Sequence, residues 1–188
     1  MRTTEFGPAL PALALPALAL LAAALAAPAA AEVVDAQANG FEVSRTVKIA
    51  APPARVYAAM ALVGRWWSPV HSWSGDARNM TLVAKAGGCF CERLKSGGSV
   101  QHMTVIYADP GRMLRLRGAL GPMQSMALDG VLSWSIKPTP EGSEVVQTYA
   151  VAGYLKGGAQ ALAPAVDGVL GEQLGRLKAF VETGRPGS

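Results

Sequence analysis

The side chains of this chain that could do chemistry are few, and they do not cluster in the sequence. There are two histidines, His71 and His102, and two cysteines, Cys89 and Cys91. A structural zinc site usually takes four protein ligands and a catalytic one takes three, and no paired ligand spacing provides either set. The sequence therefore predicts no metal site and no cofactor. It also lacks the motifs of a serine nucleophile elbow and of a phosphate-binding loop.

Glu92 is the acidic residue of greatest interest, because of the hairpin in which it lies. If Ser96 pairs with Ser99 across the turn, Glu92 falls on a largely apolar face, and His102 lies beside Arg93 at the surface. A carboxylate on an apolar wall is costly unless it is paired or protonated, so its burial tends to mark function. We interpret Glu92 as the polar anchor of a binding site, with a solvated position at the open end of the sheet as the alternative. A slip of one residue would bring Glu92 beside His102.

His71 lies in a loop that holds three of the four tryptophans, Trp66, Trp67 and Trp73. Each indole ring buries a large apolar area, so a loop this rich in tryptophan is expected to fold over something. The loop could close one end of the core as a lid, or its rings could line the mouth of a ligand pocket with His71 beside them. His71 and Glu92 are thus the candidates for general acid–base catalysis, and no catalytic residue is assigned.

The two cysteines form a Cys-Phe-Cys sequence. Residues i and i+2 of an extended strand lie about 6.5 to 7 Å apart, which is too far for an unstrained bridge. The spacing therefore favours free thiols packed as small hydrophobic side chains. A bridge at a bulge, a disulfide to another chain and a metal site are the alternatives.

Hydrophobic periodicity predicts the elements that position these residues. Alternating apolar residues predict strands at about 41–49, 79–86, 88–95, 100–108, 112–118, 128–137 and 144–152. Helical spacing predicts a short helix at 53–63 and a long amphipathic one at about 160–183. Pro164 should lie in the first turn of the long helix or mark a kink in it, and Gly184 should end the helix. The connection from Gly118 to Ala127 is predicted to be an apolar flap, whereas the other strand connections are short, glycine-rich turns that make neighbouring strands antiparallel.

The N-terminal residues resemble a secretory signal peptide. Arg2 is followed by a proline-broken Leu/Ala run that ends in small residues at Ala31. Cleavage after about Ala31 would leave a periplasmic or secreted protein with no stable membrane span, and a retained membrane anchor is the alternative. The predicted organisation is a signal peptide at 1–31, a flexible tail at 32–40, one domain at 41–184 and a second tail at 185–188.

Charge argues against a nucleic-acid partner. The formal charge of +4 is spread along the chain. The most basic stretch, residues 112–117, alternates arginine with leucine as a half-buried strand does. It also lacks the interleaved aromatic residues on which nucleic-acid bases stack.

The ordered motifs resemble those of the SRPBCC superfamily, the START and birch-pollen-allergen-like proteins. They are I-A-A-P-P-A-R-V-Y at 49–57, W-W-S-P at 66–69, G-G-C-F-C-E at 87–92 and the long C-terminal helix. The chain is most similar to the polyketide cyclase-like branch and to the branch that activates a heat-shock-protein ATPase, over about 41–183. The signal peptide argues against the chaperone role, because that branch works in the cytosol. The resemblance implies an α+β helix-grip fold, in which a curved antiparallel sheet of about six to seven strands packs on the C-terminal helix.

The resemblance also implies an apolar cavity that holds a lipid, a sterol or a polyketide, and it carries no shared catalytic set. We expect a hydrophobic small-molecule ligand between the sheet and the helix. The residues expected to contact the ligand are Trp66, Trp67, Trp73, Phe90, Glu92, Met103, Tyr107, Trp134, Val166 and Leu170. Two alternatives remain: a cyclase or hydrolase that uses Glu92 as acid and base, and a module that docks another envelope protein.

Overall fold

The structure of the protein is a computed structural model that describes residues 32–187 together with Met1 and Thr3. The predicted signal peptide at 1–31 therefore lies outside the described residues, apart from those two. In the described part of the chain, neither α-helix combines the length and the apolar character that crossing a bilayer would require.

One sheet of eight strands forms the body of the protein. In chain order the strands are β1 (Glu32–Gln37), β2 (Gly40–Ile49), β3 (Met80–Leu82), β4 (Cys89–Arg93), β5 (Ser99–Asp109), β6 (Met113–Arg117), β7 (Ala127–Thr139) and β8 (Gly142–Tyr154). Their order across the sheet is β1-β2-β8-β7-β6-β5-β4-β3, and every neighbouring pair is antiparallel. Strands β3 to β8 thus form the predicted meander.

Two α-helices pack with this sheet, α1 (Pro53–Ala61) and α2 (Ala163–Thr183). Pro164 lies in the first turn of α2, where its missing N–H breaks no helical hydrogen bond. The helix ends at Gly184, whose φ of 78° is left-handed and favours glycine. The side chains that α2 buries include Leu170, Leu174 and Leu177. This arrangement confirms the predicted α+β helix-grip fold, with eight strands where six to seven were expected.

The extra strand is β1, which falls in the segment 32–40 that was predicted to be a flexible tail. Residues of β1 pair with β2 from Glu32↔Ser44 to Gln37↔Gly40. Positions 33–37 of the strand are exposed, so its sequence shows no alternation of apolar and polar residues. Backbone hydrogen bonds to β2 hold this edge strand, and the periodicity of apolar side chains does not predict such bonds.

The predicted register of the β4–β5 hairpin is wrong. Arg93 pairs with Ser99, and Phe90 pairs with Met103. Residues 94–98 form a wider turn than expected, closed by a hydrogen bond of 2.8 Å from the Leu94 N–H to the Gly98 carbonyl. The register then shifts so that His102 has no partner on β4. This bulge turns both His102 and Met103 to the buried side.

A second bulge in β5 displaces Tyr107 from its predicted place. The β5–β6 register shifts between Val105 and Tyr107, which leaves Ile106 without a partner on β6. One extra residue reverses the alternation, because successive strand residues point to opposite faces. Tyr107 is therefore 47% exposed, and the Arg115 guanidinium lies 5.7 Å from the centre of its ring. The bulge therefore places Tyr107 on the exposed face of the sheet and not on the predicted buried face.

Cys89 and Cys91 form a disulfide, so the favoured prediction of free thiols is wrong. Their Cα atoms are 5.4 Å apart, closer than in a fully extended strand and within the range of ordinary disulfides. The register shift between Phe90 and Cys91 falls at the same place. The alternative of a bridge at an irregular strand is the one that the structure shows.

Candidate functional site

A cavity of about 470 Å³ lies between three segments of the chain. They are the tryptophan loop (residues 66–75), the flap (residues 118–126) and residues 162–170, which lead into and begin α2. Most of the wall consists of apolar side chains such as Leu120, Met123 and Val169. Such a wall can take up an apolar molecule and excludes most water.

The structure places five of the sequence-predicted residues on this wall. They are Trp67, His71, Trp73, Val166 and Leu170. Trp67 is buried, and Trp73 at the mouth is 53% exposed. Part of the tryptophan loop thus packs into the core, and part of it lines the cavity.

Six other predicted residues, Glu92 among them, do not line this cavity. Trp66, Phe90, Met103 and Trp134 are core residues that are 1% exposed or less, and Tyr107 lies on the outer face. The Trp66 Nε1 donates to the Ala59 carbonyl at 2.9 Å, which fixes the ring beside α1. The predicted wall extends too far into the core, since sequence periodicity marks a buried face and does not show which buried residues border an empty space.

Glu92 is buried, but it points to the tryptophan loop and not to the cavity. Its carboxylate accepts hydrogen bonds from the Trp73 N–H at 3.1 Å and from the Ser74 N–H. It also lies 3.0 Å from Nε2 of His102. Burial alone would raise the pKa of Glu92, but these hydrogen bonds outweigh it and lower the pKa. Glu92 thus anchors the loop as a carboxylate, and the prediction that it contacts the ligand is not supported.

His102 is the polar residue of the wall that sequence reasoning missed. It is 4% exposed, it lines the cavity, and its ring centre lies 4.9 Å from that of Phe90. Burial lowers the pKa of His102, and the contact with Glu92 offsets this only in part. The alternative of a one-residue slip, which would bring Glu92 beside His102, was the only signal in the sequence. The expected surface position beside Arg93 is wrong.

Three hydrogen bonds hold the tryptophan loop on α2. The Ser68 N–H donates to Oε1 of Gln173 at 2.8 Å, and Nε of Arg176 donates to the Trp66 carbonyl at 2.9 Å. At the mouth, Nε2 of His71 lies 3.0 Å from the Glu172 carboxylate. His71 therefore joins the loop to the helix at the rim of the cavity.

The flap is attached to the sheet by one tyrosine and one glutamine. The Tyr149 hydroxyl donates to the Gly118 carbonyl at 2.9 Å and accepts from the Leu120 N–H at 3.2 Å. Nε2 of Gln124 donates to the Gln101 carbonyl at 2.8 Å. Burial strongly raises the pKa of Tyr149, so the hydroxyl stays protonated and keeps both contacts.

A second, more polar cavity of about 320 Å³ adjoins the flap, and His102, Met103 and Arg117 line it. His102 thus borders both cavities. Across residues 32–187, no three histidine, cysteine or acidic side chains lie close enough together to hold a metal ion.

The sheet, the long C-terminal helix and the cavity beside it define a helix-grip protein. The family described as polyketide cyclase / dehydrase and lipid transport matches residues 40–182, and the chain belongs to that family. This confirms the resemblance to the SRPBCC superfamily that the sequence motifs indicated. None of the curated proteins matches the chain.

Solved structures share the fold at low sequence identity. An uncharacterised protein from Rhizobium leguminosarum is 20% identical, with a TM-score of 0.57 over 77% of this chain and 96% of its own. CalU16 from Micromonospora echinospora is 14% identical, with a TM-score of 0.55 over 81% of this chain and 84% of its own. The Aha1 dimer from Colwellia psychrerythraea is 16% identical, with a TM-score of 0.55 over 76% of this chain and 97% of its own. At these identities the likeness shows the fold alone.

Proposed function

We propose that the protein binds a hydrophobic or amphipathic small molecule, such as a lipid, a sterol or a polyketide-like compound, in the cavity beside α2. The observation that carries the proposal is the apolar cavity of about 470 Å³, a size within the range of about 300 to 1,000 Å³ typical of small-molecule sites. Membership of a family described by polyketide cyclisation and lipid transport supports the same class of ligand.

The mouth of the cavity also suits an apolar ligand. Trp73 and Val70 border the cavity and are 53% and 77% exposed. Large apolar side chains at an opening are stabilised when a bound molecule covers them, because apolar area then leaves water. The backbone N–H groups of Ser68, Trp73 and Ser74 donate to Gln173 and Glu92, and these hydrogen bonds hold the tryptophan loop in place at the cavity.

The protein is also proposed to be exported to the periplasm or secreted. Residues 1–31 carry the pattern of a signal peptide, and the Cys89–Cys91 disulfide is of the kind that persists in oxidising compartments. In cells that express the full chain, we expect cleavage near Ala31 and fractionation with exported proteins. Both cysteines should resist alkylation until a reductant is added. Recovery of an uncleaved chain with reduced cysteines in the cytosol would refute export.

The binding proposal is tested with a neutral fluorescent probe, N-phenyl-1-naphthylamine. We expect it to bind the purified protein with one site and with enhanced emission, because the apolar wall removes the probe from water. Val166→Trp should fill the cavity and weaken binding at least tenfold. The matched control is Val83→Trp, since Val83 is an exposed valine that does not line the cavity. Equal binding by both variants would place the probe elsewhere and refute the proposed site.

An enzyme that transforms such a ligand is the second candidate, and the buried Glu92–His102 pair at the cavity is the observation that favours it. Of this pair only His102 lines the cavity, so the base in that reaction would be His102. A binder returns its ligand unchanged, whereas an enzyme yields a product of different mass. Incubation with ligand extracted from the protein, followed by mass spectrometry, separates the two.

A further inference from the structure

His102 is the wall residue whose polar atoms are best placed to recognise part of a ligand. His71 and Ser72, two other polar side chains at the cavity, each have a partner within the protein. Nε2 of His71 contacts Glu172 at 3.0 Å, and the Ser72 hydroxyl donates to the Pro69 carbonyl at 2.8 Å. His102 uses only Nε2, which lies 3.0 Å from Glu92.

Glu92 determines which nitrogen of His102 carries the proton. Its carboxylate already accepts from two backbone N–H groups, those of Trp73 and Ser74, so it is held in its charged, acceptor-only form. Nε2 of His102 must then be the donor in their contact. Because burial keeps the ring neutral near pH 7, Nδ1 is left as an unprotonated acceptor.

The described residues offer Nδ1 of His102 no hydrogen-bond partner. Two polar side-chain atoms in residues 32–187 are sealed from solvent without a partner, Oη of Tyr57 and Nε2 of Gln173, and Nδ1 of His102 is not one of them. Nδ1 is therefore not sealed within the protein. The ring lines both the apolar cavity and the second one.

We propose that Nδ1 of His102 accepts a hydrogen bond from the ligand, so that the cavity selects apolar molecules carrying a hydroxyl or N–H donor, such as phenols and alcohols. The inference rests on the proposed function, because it concerns a ligand in the same cavity. A ligand without a donor would displace water from Nδ1 and leave the acceptor unpaired, which costs binding free energy. Glu92 acts as the positioning residue, since it fixes the tautomer of His102.

A matched pair of probes tests the inference: 2-naphthol, which has a hydroxyl donor, and 2-methoxynaphthalene, which has the same rings and no donor. The measured quantity is the ratio of their dissociation constants, ether over phenol. We expect this ratio to be about fivefold larger in the wild type than in His102→Phe, since one hydrogen bond contributes on that order. His102→Gln keeps an amide donor for Glu92 and an amide oxygen for the ligand, so it should retain part of the preference.

The outcomes separate the two proposals. If both probes bind and the ratio is the same in wild type and His102→Phe, the cavity is a ligand site but His102 does not select the ligand. If neither probe binds the wild type, both proposals fail. Nitrogen-15 NMR gives a test that does not depend on the variant folding: the Nδ1 resonance of His102 should shift with 2-naphthol and stay in place with 2-methoxynaphthalene. Equal shifts with both probes would overturn the inference.

Discussion

At the scale of single residues, Glu92 and His102 organise the site together. The carboxylate of Glu92 bonds the backbone of Trp73 and Ser74 and thereby fastens the tryptophan loop to β4. Its third partner, His102, brings a polar group to an otherwise apolar wall. A buried carboxylate with several hydrogen bonds is stable in place, whereas removing any partner leaves a desolvated group behind.

Glu92→Gln should destabilise the protein by about 2 kcal/mol. The N–H₂ group of the glutamine would face a hydrogen-bond donor at a position where the carboxylate accepts a hydrogen bond. Urea unfolding measures the change. The matched control is Glu141→Gln at an exposed position, which should change the free energy of unfolding by less than about 0.5 kcal/mol. Equal effects of the two substitutions would show that Glu92 does not hold the loop.

His102 should make folding stability depend on pH above pH 5. Burial lowers the pKa of His102 from its ordinary value of 6.5 in spite of the contact with Glu92. As the pH falls through 6.5, the unfolded chain takes up a proton that the folded chain binds only at lower pH, so the free energy of unfolding decreases. Loss of the Glu92 carboxylate acts only below its ordinary pKa of 4.5. Urea unfolding between pH 7.5 and 5 should show a smaller slope in His102→Phe, and identical slopes would contradict this assignment.

At the scale of elements, the sequence predicts those features that are determined by side-chain type and by turn residues. Pro164 and Gly184 mark the two ends of α2, and the apolar flap is readable from its length and composition. The two bulges of β5 are not readable, because nothing in the residue types around His102 or Ile106 requires an extra residue there. Each bulge reverses the alternation, so His102 and Tyr107 exchange the positions expected of them.

Tyr149→Phe tests the attachment of the flap. The substitution removes the hydrogen bonds to the Gly118 carbonyl and from the Leu120 N–H. We expect a loss of stability of about 1 to 2 kcal/mol, and faster hydrogen exchange at the amides of the flap than in the wild type. Tyr154→Phe is the control, because Tyr154 is 75% exposed. Unchanged exchange in the flap would mean that other contacts hold it.

At the scale of the whole molecule, the cavity lies where the tryptophan loop, the flap and the start of α2 come together. The leucines of α2 that face the sheet fill the space beneath the helix with Trp134 and Tyr149, which are 1% exposed or less. Near the start of α2 the space is enclosed by the tryptophan loop and the flap, and a volume of about 470 Å³ remains between them. The sequence shows that these three segments carry apolar residues. Only the packed structure shows that the segments leave a space between them. The fold was therefore more predictable than the wall of the cavity.

Native mass spectrometry of the freshly purified protein tests the central claim most directly. We expect a fraction of the chains to carry one additional small molecule, which solvent extraction releases and which is depleted in Val166→Trp but retained in Val83→Trp. A wild-type protein that shows only the mass of the chain, and that binds neither N-phenyl-1-naphthylamine nor the naphthalene probes, would contradict a hydrophobic ligand in this cavity.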